Sequence, residues 1–372
     1  MSIDNNRKGL VLVAVLWIVI VLTAIVTVLG RKSRLDTKIC LARSEGLRCK
    51  WACRAGIERA IAVLNEDERE SDCLMDLWSD NGEDFNDIVL EDCRFSVKVI
   101  DEAGKLNINS ATKEQLMGLP DMLEEIADAI IDWRDGDDTP REAGAEGGYY
   151  ENLAFGYKAR NGAFRTIREL LLVKGVTEEL FYGEDTNLNG RLDYNEQDEN
   201  ENPPADNGDD VLDKGWISYL TCYSYDNTQN NQGNQNQSGQ NQNNQNNQSN
   251  QNSSTNVSAK VNINTAPEAV LTALLGGGDS AEQAAQSIIA YRETLLYGIE
   301  NTSELLEQGI VRQNVLEQIE NYITTRSNVY TIRCVATADR NGLDSANLQT
   351  EAVVDRSSSP CRILYWYQGA SN

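Results

Sequence analysis

From Leu10 to Leu29 the chain reads LVLVAVLWIVIVLTAIVTVL, with no charge in the run. As a helix rising about 1.5 Å per residue it spans about 30 Å, the thickness of a bilayer's hydrocarbon core. The helical spacing continues past the apolar run. Leu47, Trp51, Ile57, Ile61 and Leu64 fall near one face, with Arg43, Arg48, Arg54, Glu58 and Arg59 on the rest. Alternation of Phe95, Val97 and Val99 predicts a strand over Arg94 to Ile100. Three more strands are predicted at Val329 to Thr337, Thr350 to Asp355 and Ile363 to Gln368, the first two joined by turn residues Asp339 to Gly342.

Between the early and late strands the polar–apolar pattern repeats itself. Lys105-Leu-Asn-Ile-Asn-Ser-Ala111 is answered by Lys260-Val-Asn-Ile-Asn-Thr-Ala266, 155 residues on. An apolar helix follows each, at Leu116 to Leu119 and at Leu271 to Leu274. A second helix closes each copy, with Ile130-Ile131-Asp132-Trp133-Arg134-Asp135 matching Ile288-Ile289-Ala290-Tyr291-Arg292-Glu293. Two related helical hairpins are expected. Ser110 or Thr112 is placed to cap the first, and Thr265 with Pro267 the second. Phe164 to Val173 predicts a further helix stopped by Gly175, and Trp216 to Tyr225 an aromatic-rich strand. Asn227 to Asn256 is almost pure Asn, Gln, Ser and Gly. It has no apolar face and reads as a flexible linker of about 30 Å span.

Charge and chemistry narrow the function. There are 58 acidic and 33 basic residues, for a net charge of −25. Such a surface repels phosphate backbones and suits cationic partners or divalent metals. With 0 histidines, mechanisms that need imidazole as base or ligand are closed, and no nucleophile is set beside a base. An enzyme is not expected. The eight cysteines form no CxxC pair, and an even number suits disulfides outside the cytosol. Cys334 and Cys361, flanking the last strands, are one candidate pair.

Residues Asp185 to Glu196 read DTNLNGRLDYNE, which fits the twelve-residue calcium loop D-x-N-x-N-G-x5-E. Asp185, Asn187 and Asn189 offer side-chain oxygens and Gly190 the sharp turn. Arg191 offers its carbonyl, Asp193 a carboxylate and Glu196 a bidentate carboxylate, with Leu192 expected to plug the loop into a core. The flanks depart from an EF-hand, because the proline-containing stretch Asn200 to Asp206 is no exiting helix. Asp206, Asp209, Asp210 and Asp213 are candidate further carboxylates. A lone loop of this kind predicts structural Ca2+ with a Kd of order 10⁻⁴ to 10⁻³ M. A second acidic cluster, Asp132, Asp135, Asp137, Asp138 and Glu142, reads as a helix-end turn open to a second cation, not as a catalytic pair.

The N-terminus resembles a type IV prepilin leader: a short polar segment, MSIDNNRKG, precedes the apolar run, with the cleavage junction at Gly9 and Leu10. The segments KGLVLVAVLW, VIDEAGKLNINSA, AIIDWRDGDD, NGAFRTIRELLLVKGVT and KVNINTAPEAVL together resemble the type II secretion minor pseudopilins of the K family (general secretion pathway protein K) over nearly the whole chain. The resemblance implies an α+β fold. A pilin-like long N-terminal helix lies on an antiparallel sheet, interrupted by a large mainly helical insert with helix-hairpin-helix-like repeats and a calcium loop. It divides the chain into a leader (1–9), a transmembrane helix (10–30), a pilin-like helix and first strand (31–104), the insert with its calcium loop (105–213), a strand (214–226), the linker (227–258), a second hairpin (259–325) and terminal strands (326–372).

The resemblance also implies a single-pass inner-membrane protein with its bulk in the periplasm, at the tip of a secretion pseudopilus that serves protein transport. The implied partners are minor pseudopilins I and J, the prepilin peptidase and, as a further candidate, the major pseudopilin. Most pilins carry a glutamate five residues into the mature chain, and Ala14 stands there. A missing carboxylate handicaps a subunit that docks beneath another but not the first subunit of a filament. Two alternatives stay open: a minor pilin of a type IV pilus, and a membrane-tethered DNA-binding helix-hairpin-helix protein. The hairpin Leu119-Pro-Asp-Met-Leu-Glu-Glu125 lacks paired glycines and carries three acids, so nucleic acid is not an expected partner.

Overall fold

The computed structural model describes residues 5–67, 70–79, 81–188, 190, 192–197, 204, 206–225, 259–340 and 343–370; of residues 5–11, 339, 340, 343–345 and 370 it describes the backbone alone. The Asn/Gln-rich stretch expected as a linker lies outside these residues, as do Asn189 and Arg191.

One helix, α1 (Asn5–Glu66), runs from the apolar segment into the folded head. No described residue covers its first part: Leu12 is 71% exposed and Trp17 64%. That stretch is long and apolar enough to cross a membrane. Farther on, α1 buries Cys49, Ala52, Cys53, Ile57, Ala60, Ile61 and Leu64. Ile57, Ile61 and Leu64 are inside as the spacing predicts, but Leu47 and Trp51 face outward, 57% and 68% exposed. The buried stripe is built from small residues, which lets the helix settle close to the sheet. A Cβ on Gly56 would lie 2.7 Å from Cys334 Sγ and 2.9 Å from the side chains of Phe95 and Val97.

After the short α2 (Gly82–Phe85), β1 (Ile88–Leu90) and β2 (Cys93–Asp101) begin a sheet. β2 alternates as predicted, with Cys93, Phe95, Val97 and Val99 buried against α1 and Arg94, Ser96 and Lys98 facing away.

The chain then leaves the sheet for the insert. Its elements are β3 (Leu106–Asn107), α3 (Lys113–Met117), α4 (Glu124–Arg134), α5 (Gly147–Glu151), α6 (Glu178–Tyr182), β4 (Leu220–Thr221), β5 (Val261–Asn262), α7 (Glu268–Leu274), α8 (Asp279–Arg292), α9 (Glu304–Glu307), α10 (Gln313–Ile319) and β6 (Ile323–Thr324). It returns as β7 (Val329–Arg340), β8 (Leu343–Asp355) and β9 (Arg362–Ala370). The strand order is β1-β2-β7-β8-β9, antiparallel throughout. Entrance and exit of the insert are adjacent, since Asp101 pairs with Tyr330 in register.

The insert has one core of its own, running from Leu106 to Ile323 and fed by both repeats. The two copies are built alike. In each a two-residue strand pairs in parallel with a distant partner, β3 with β4 and β5 with β6. Asn109 accepts from the Phe164 N–H and donates to its carbonyl, and Asn264 does the same with Ile299. Arg134 donates to the carbonyls of Ile108 and Ala111, and Arg292 to those of Ile263 and Ala266. Burial holds the guanidinium of Arg134 below its usual range, at about 10. The one Asn and one Arg named in each repeat are therefore structural staples, satisfying backbone groups that the core would otherwise strand.

Several local expectations give way to tertiary structure. Thr112 caps α3 through a capping box with Gln115, but α7 starts at the uncapped Pro267. Thr265 instead donates to Asp101 Oδ2 at 2.5 Å. The predicted helix at Phe164 to Val173 is a 3₁₀ turn, Ile167–Leu172, followed by Gly175 at φ +83. Trp216 to Tyr225 forms a 3₁₀ turn, Trp216–Ser218, and only the two strand residues of β4. Trp216 and Tyr219 pack into the insert core, and Trp216 Nε1 donates to the Pro120 carbonyl at 2.8 Å, whereas Tyr223 packs against Tyr365 of the sheet.

Two adjacent carboxylates at the end of β2 join sheet to insert. Asp101, fully enclosed, accepts from Ser327 (2.6 Å), Thr265 and Asn262 of the second repeat. Glu102 pairs with Lys105 of the first repeat at 2.9 Å and accepts from Thr221 and Thr331. Burial works to raise both carboxyls; Asp101 does rise, whereas the Lys105 ammonium and the hydroxyls bring Glu102 below its usual value.

Candidate metal centres

The loop from Asp185 onward follows α6 and folds on itself through its own oxygens. Gly190 at φ +70 donates its N–H to Asp185 Oδ2 at 2.9 Å, across the tight turn. Asn187 Nδ2 reaches Asp193 Oδ2 at 2.7 Å, and the Asp193 N–H reaches Glu196 Oε2 at 2.9 Å. Asp185, Asn187, Asp193 and Glu196 thus converge, while Asn189 and Arg191 lie outside the described residues. Glu196 is 0% exposed and its Oε1 has no hydrogen-bond partner. Burial pushes its carboxyl up, and the carboxylates of Asp193, Asp185 and Glu184 push further. An enclosed, unpartnered carboxylate oxygen among hard oxygen donors fits Ca2+, which takes six to eight oxygens. Asp185, Asn187, Asp193 and Glu196 would hold the ion.

The plug is not the expected one. Leu192 is only half-buried, whereas Leu188, at φ +58, is 7% exposed and part of the insert core. The downstream acids serve their own turn. Asp206 accepts from Gly208 N–H, Asp209 from Val211 N–H and Asp213 from Asn207 Nδ2, each within 2.9 Å. Asp210 is exposed at φ +60. Glu184, one residue before the loop, is the buried carboxylate that sequence spacing missed; it accepts the Asp213 N–H at 2.9 Å. It stands outside the twelve-residue pattern, so only its acidity marked it.

A second acidic centre forms where α4 ends. Asp132, Asp135 and Glu146 each bring a carboxylate oxygen within 4.8 Å of the others'. Glu146, and not the exposed Glu142, completes this group. Neither oxygen of Glu146 has a hydrogen-bond partner, nor has the nearby Asn161 Oδ1. Burial raises the Glu146 carboxyl to about 7, helped by Asp135, Asp132, Asp138 and Asp137. Only glycine fits at position 144, where a Cβ would collide with Asp132 Oδ2. Trp133 stacks against Phe164 and meets Tyr150 edge-on at 5.1 Å, which fixes the loop between them.

Gly9 and Leu10, the expected cleavage junction, lie within the helical backbone of α1.

Comparison with known proteins agrees with this architecture. Two profiles described as "Type II secretion system (T2SS), protein K" match residues 104–182 and 261–326. The type II secretion system protein K of Pseudomonas aeruginosa is 29% identical over 197 residues, covering 46% of this chain and 58% of the relative. The match therefore spans less than two thirds of that relative's length. A chain in the crystal structure of the GspK-GspI-GspJ complex from enterotoxigenic Escherichia coli superposes with a TM-score of 0.59 at 16% identity, over 89% of this chain and 99% of that one. That superposition establishes a shared fold, a long N-terminal helix on an antiparallel sheet. The two profiles fall in chain order on the two halves of one insert, so the likeness of this chain to type II secretion system protein K extends over both repeats.

Proposed function

We propose that this chain is a minor pseudopilin placed at the tip of a type II secretion pseudopilus, where it starts the filament together with minor pseudopilins I and J. The observation that carries the reading is the union of a bare apolar helix with a bulky head on one continuous α1. The apolar half anchors the chain in the inner membrane and supplies the packing surface for polymerisation, and the head projects into the periplasm. Ala14 supports the tip position, since a subunit lacking the buried carboxylate has no handle for docking beneath another. The partners named in the crystal structure of the related complex support the assignment of I and J. Co-purification of the full chain in detergent with candidate I and J subunits tests it. Regular cross-links along filament shafts would sink the tip position.

The loop at Asp185 to Glu196 is a structural calcium site, and the centre at Asp132, Asp135 and Glu146 takes a second cation of the same class. The role is scaffolding, not catalysis. Nucleic-acid binding is disfavoured because the first hairpin turn presents Asp121, Glu124 and Glu125 to solvent, where they repel phosphate. The repeats keep the outline of helix-hairpin-helix modules and use it to hold each other.

A further inference from the structure

The stripe of α1 that faces the sheet carries two thiols one turn apart, Cys49 and Cys53, both 0% exposed. Each meets a cysteine on a different strand. Cys49 Sγ lies 3.5 Å from the Ala346 carbonyl. Ala346 pairs with Ala338, and Ala338 pairs with Cys93, so the helix sulfur sits over the row that holds Cys93. The Cys93 thiol beside it adds to the upward push that burial gives the Cys49 thiol. One turn on, Cys53 Sγ reaches the carbonyl of Cys334 at 3.5 Å, and the Cys53 thiol pushes that of Cys334 up. The neighbouring Gly56 lets the helix come this near: the Cβ it lacks would touch Cys334 Sγ. Cys73 and Cys361 spend their thiols elsewhere, on Asp76 Oδ1 (3.5 Å) and Asn65 Oδ1 (3.3 Å). Cys334 and Cys361, the candidate pair from their flanking positions, are both free thiols here, as are the other six, and the neighbour of Cys334 is Cys53.

We propose that Cys49–Cys93 and Cys53–Cys334 form two disulfides that bolt the membrane helix to β2 and β7 of the head. The oxidant is a small-molecule or protein disulfide of an oxidising compartment. One cysteine thiolate attacks its S–S bond, giving a mixed disulfide and releasing one thiol. The second cysteine attacks the mixed disulfide, closing the internal S–S bond and releasing the other thiol. Two electrons per bridge pass to the oxidant, and the cysteine protons end on the released thiols. The bridges form while the chain folds, because the finished interface shuts out reagents and burial raises the Cys49 thiol to about 11, where it is no nucleophile. Cys53 and Cys334 are 281 residues apart, so closing that loop removes much freedom from the unfolded chain. Oxidant supply rests on the periplasmic placement of the head; the choice of partners does not.

The test maps linked peptides. Trypsin cuts after Lys50 and after Arg54, which separates Cys49 from Cys53. The full chain in detergent, reduced, unfolded and refolded with oxidised glutathione, is expected to yield Cys49-Lys50 linked to the peptide ending Cys93-Arg94. Trp51 to Arg54 is expected linked to the peptide that begins at Cys334. Reductant should lower the melting temperature. Cys53→Ala should free Cys334 for alkylation and leave the Cys49–Cys93 link intact. Alkylation of all four thiols after refolding, or a Cys334–Cys361 link, overturns the proposal. Chain taken from cells directly into denaturant with alkylating agent should be modified only at Cys40, Cys73, Cys222 and Cys361; modification of the four interface thiols there also overturns it. A membrane-impermeant thiol reagent on intact spheroplasts separates the two readings: failure to label the exposed Cys40 sinks the periplasmic placement, whatever the refolded chain gives.

Discussion

Gly118 and Ala273 hold the same place in the two copies of the repeat, and in the folded chain they touch each other. Each lies at the C-terminal end of its first helix, α3 or α7. The hairpins therefore meet through equivalent positions at the ends of their first helices. This contact explains why one core serves both halves of the insert although a long polar tract separates them in sequence.

The contact is tight enough to test. Gly118→Ala would place a methyl 2.7 Å from Ala273 Cα, a backbone atom that cannot turn aside. A loss of about 1–3 kcal/mol in unfolding free energy is expected from overpacking, read by denaturant titration of the full chain in detergent. An unchanged midpoint would mean that the hairpins part easily.

The two arginine staples should be worth the same. Arg134→Lys and Arg292→Lys each keep the charge but lose the fork that spans two carbonyls. Each is expected to cost about 1–3 kcal/mol, since a charged hydrogen bond is lost and a buried carbonyl left bare. A large effect in one repeat and none in the other would contradict their equivalence.

Calcium should raise the melting temperature and a chelator lower it; saturation at about 100 times the Kd adds about 2.7 kcal/mol per site. Glu196→Gln is expected to remove one site from a titration followed by calorimetry, and Glu146→Gln the other. Without calcium both variants should be more stable than the parent, because each removes a carboxyl with a buried oxygen that has no partner, Oε1 in Glu196 and both oxygens in Glu146. A parent chain whose melting is blind to chelator would sink both centres.

Asp72 gives a signed pH dependence. Burial raises its carboxyl from 3.8 to about 6 against the pull of Arg356. With the folded value above the unfolded one, the contribution of Asp72 to stability is full below about pH 4 and falls as pH rises through 6. The difference in unfolding free energy between the parent and Asp72→Asn should therefore shrink by on the order of 3 kcal/mol over that window and stay flat above it. A difference that grows with pH would reverse the assignment.

The elements that announced themselves in the sequence were those with strong periodicity. The apolar helix, the alternating β2 and the three terminal strands all stand where the pattern put them. The buried face of α1 was misjudged at Leu47 and Trp51 because its real stripe is Cys, Ala and Gly, residues that bury well but weigh little in a hydrophobicity pattern. Phe164 to Val173 and Trp216 to Tyr225 were overread for the converse reason: their large apolar side chains serve the insert core from turns, not from regular elements. The convergence of Asp185, Asn187, Asp193 and Glu196 was legible from spacing, whereas Glu184 and Glu146 were not. Each joins its centre through a fold contact and not through position in a motif.

The adjacency of β2 and β7 has a mechanical consequence. A pull on α1 passes into the sheet, and the ladder that begins at Asp101 and Tyr330 short-circuits the long excursion between them. Tension on the stalk thus bypasses the insert. On the proposed tip placement, a cap of this size is carried at the end of a fibre without becoming its weakest link, and it can grow or shrink while the attachment keeps its strength.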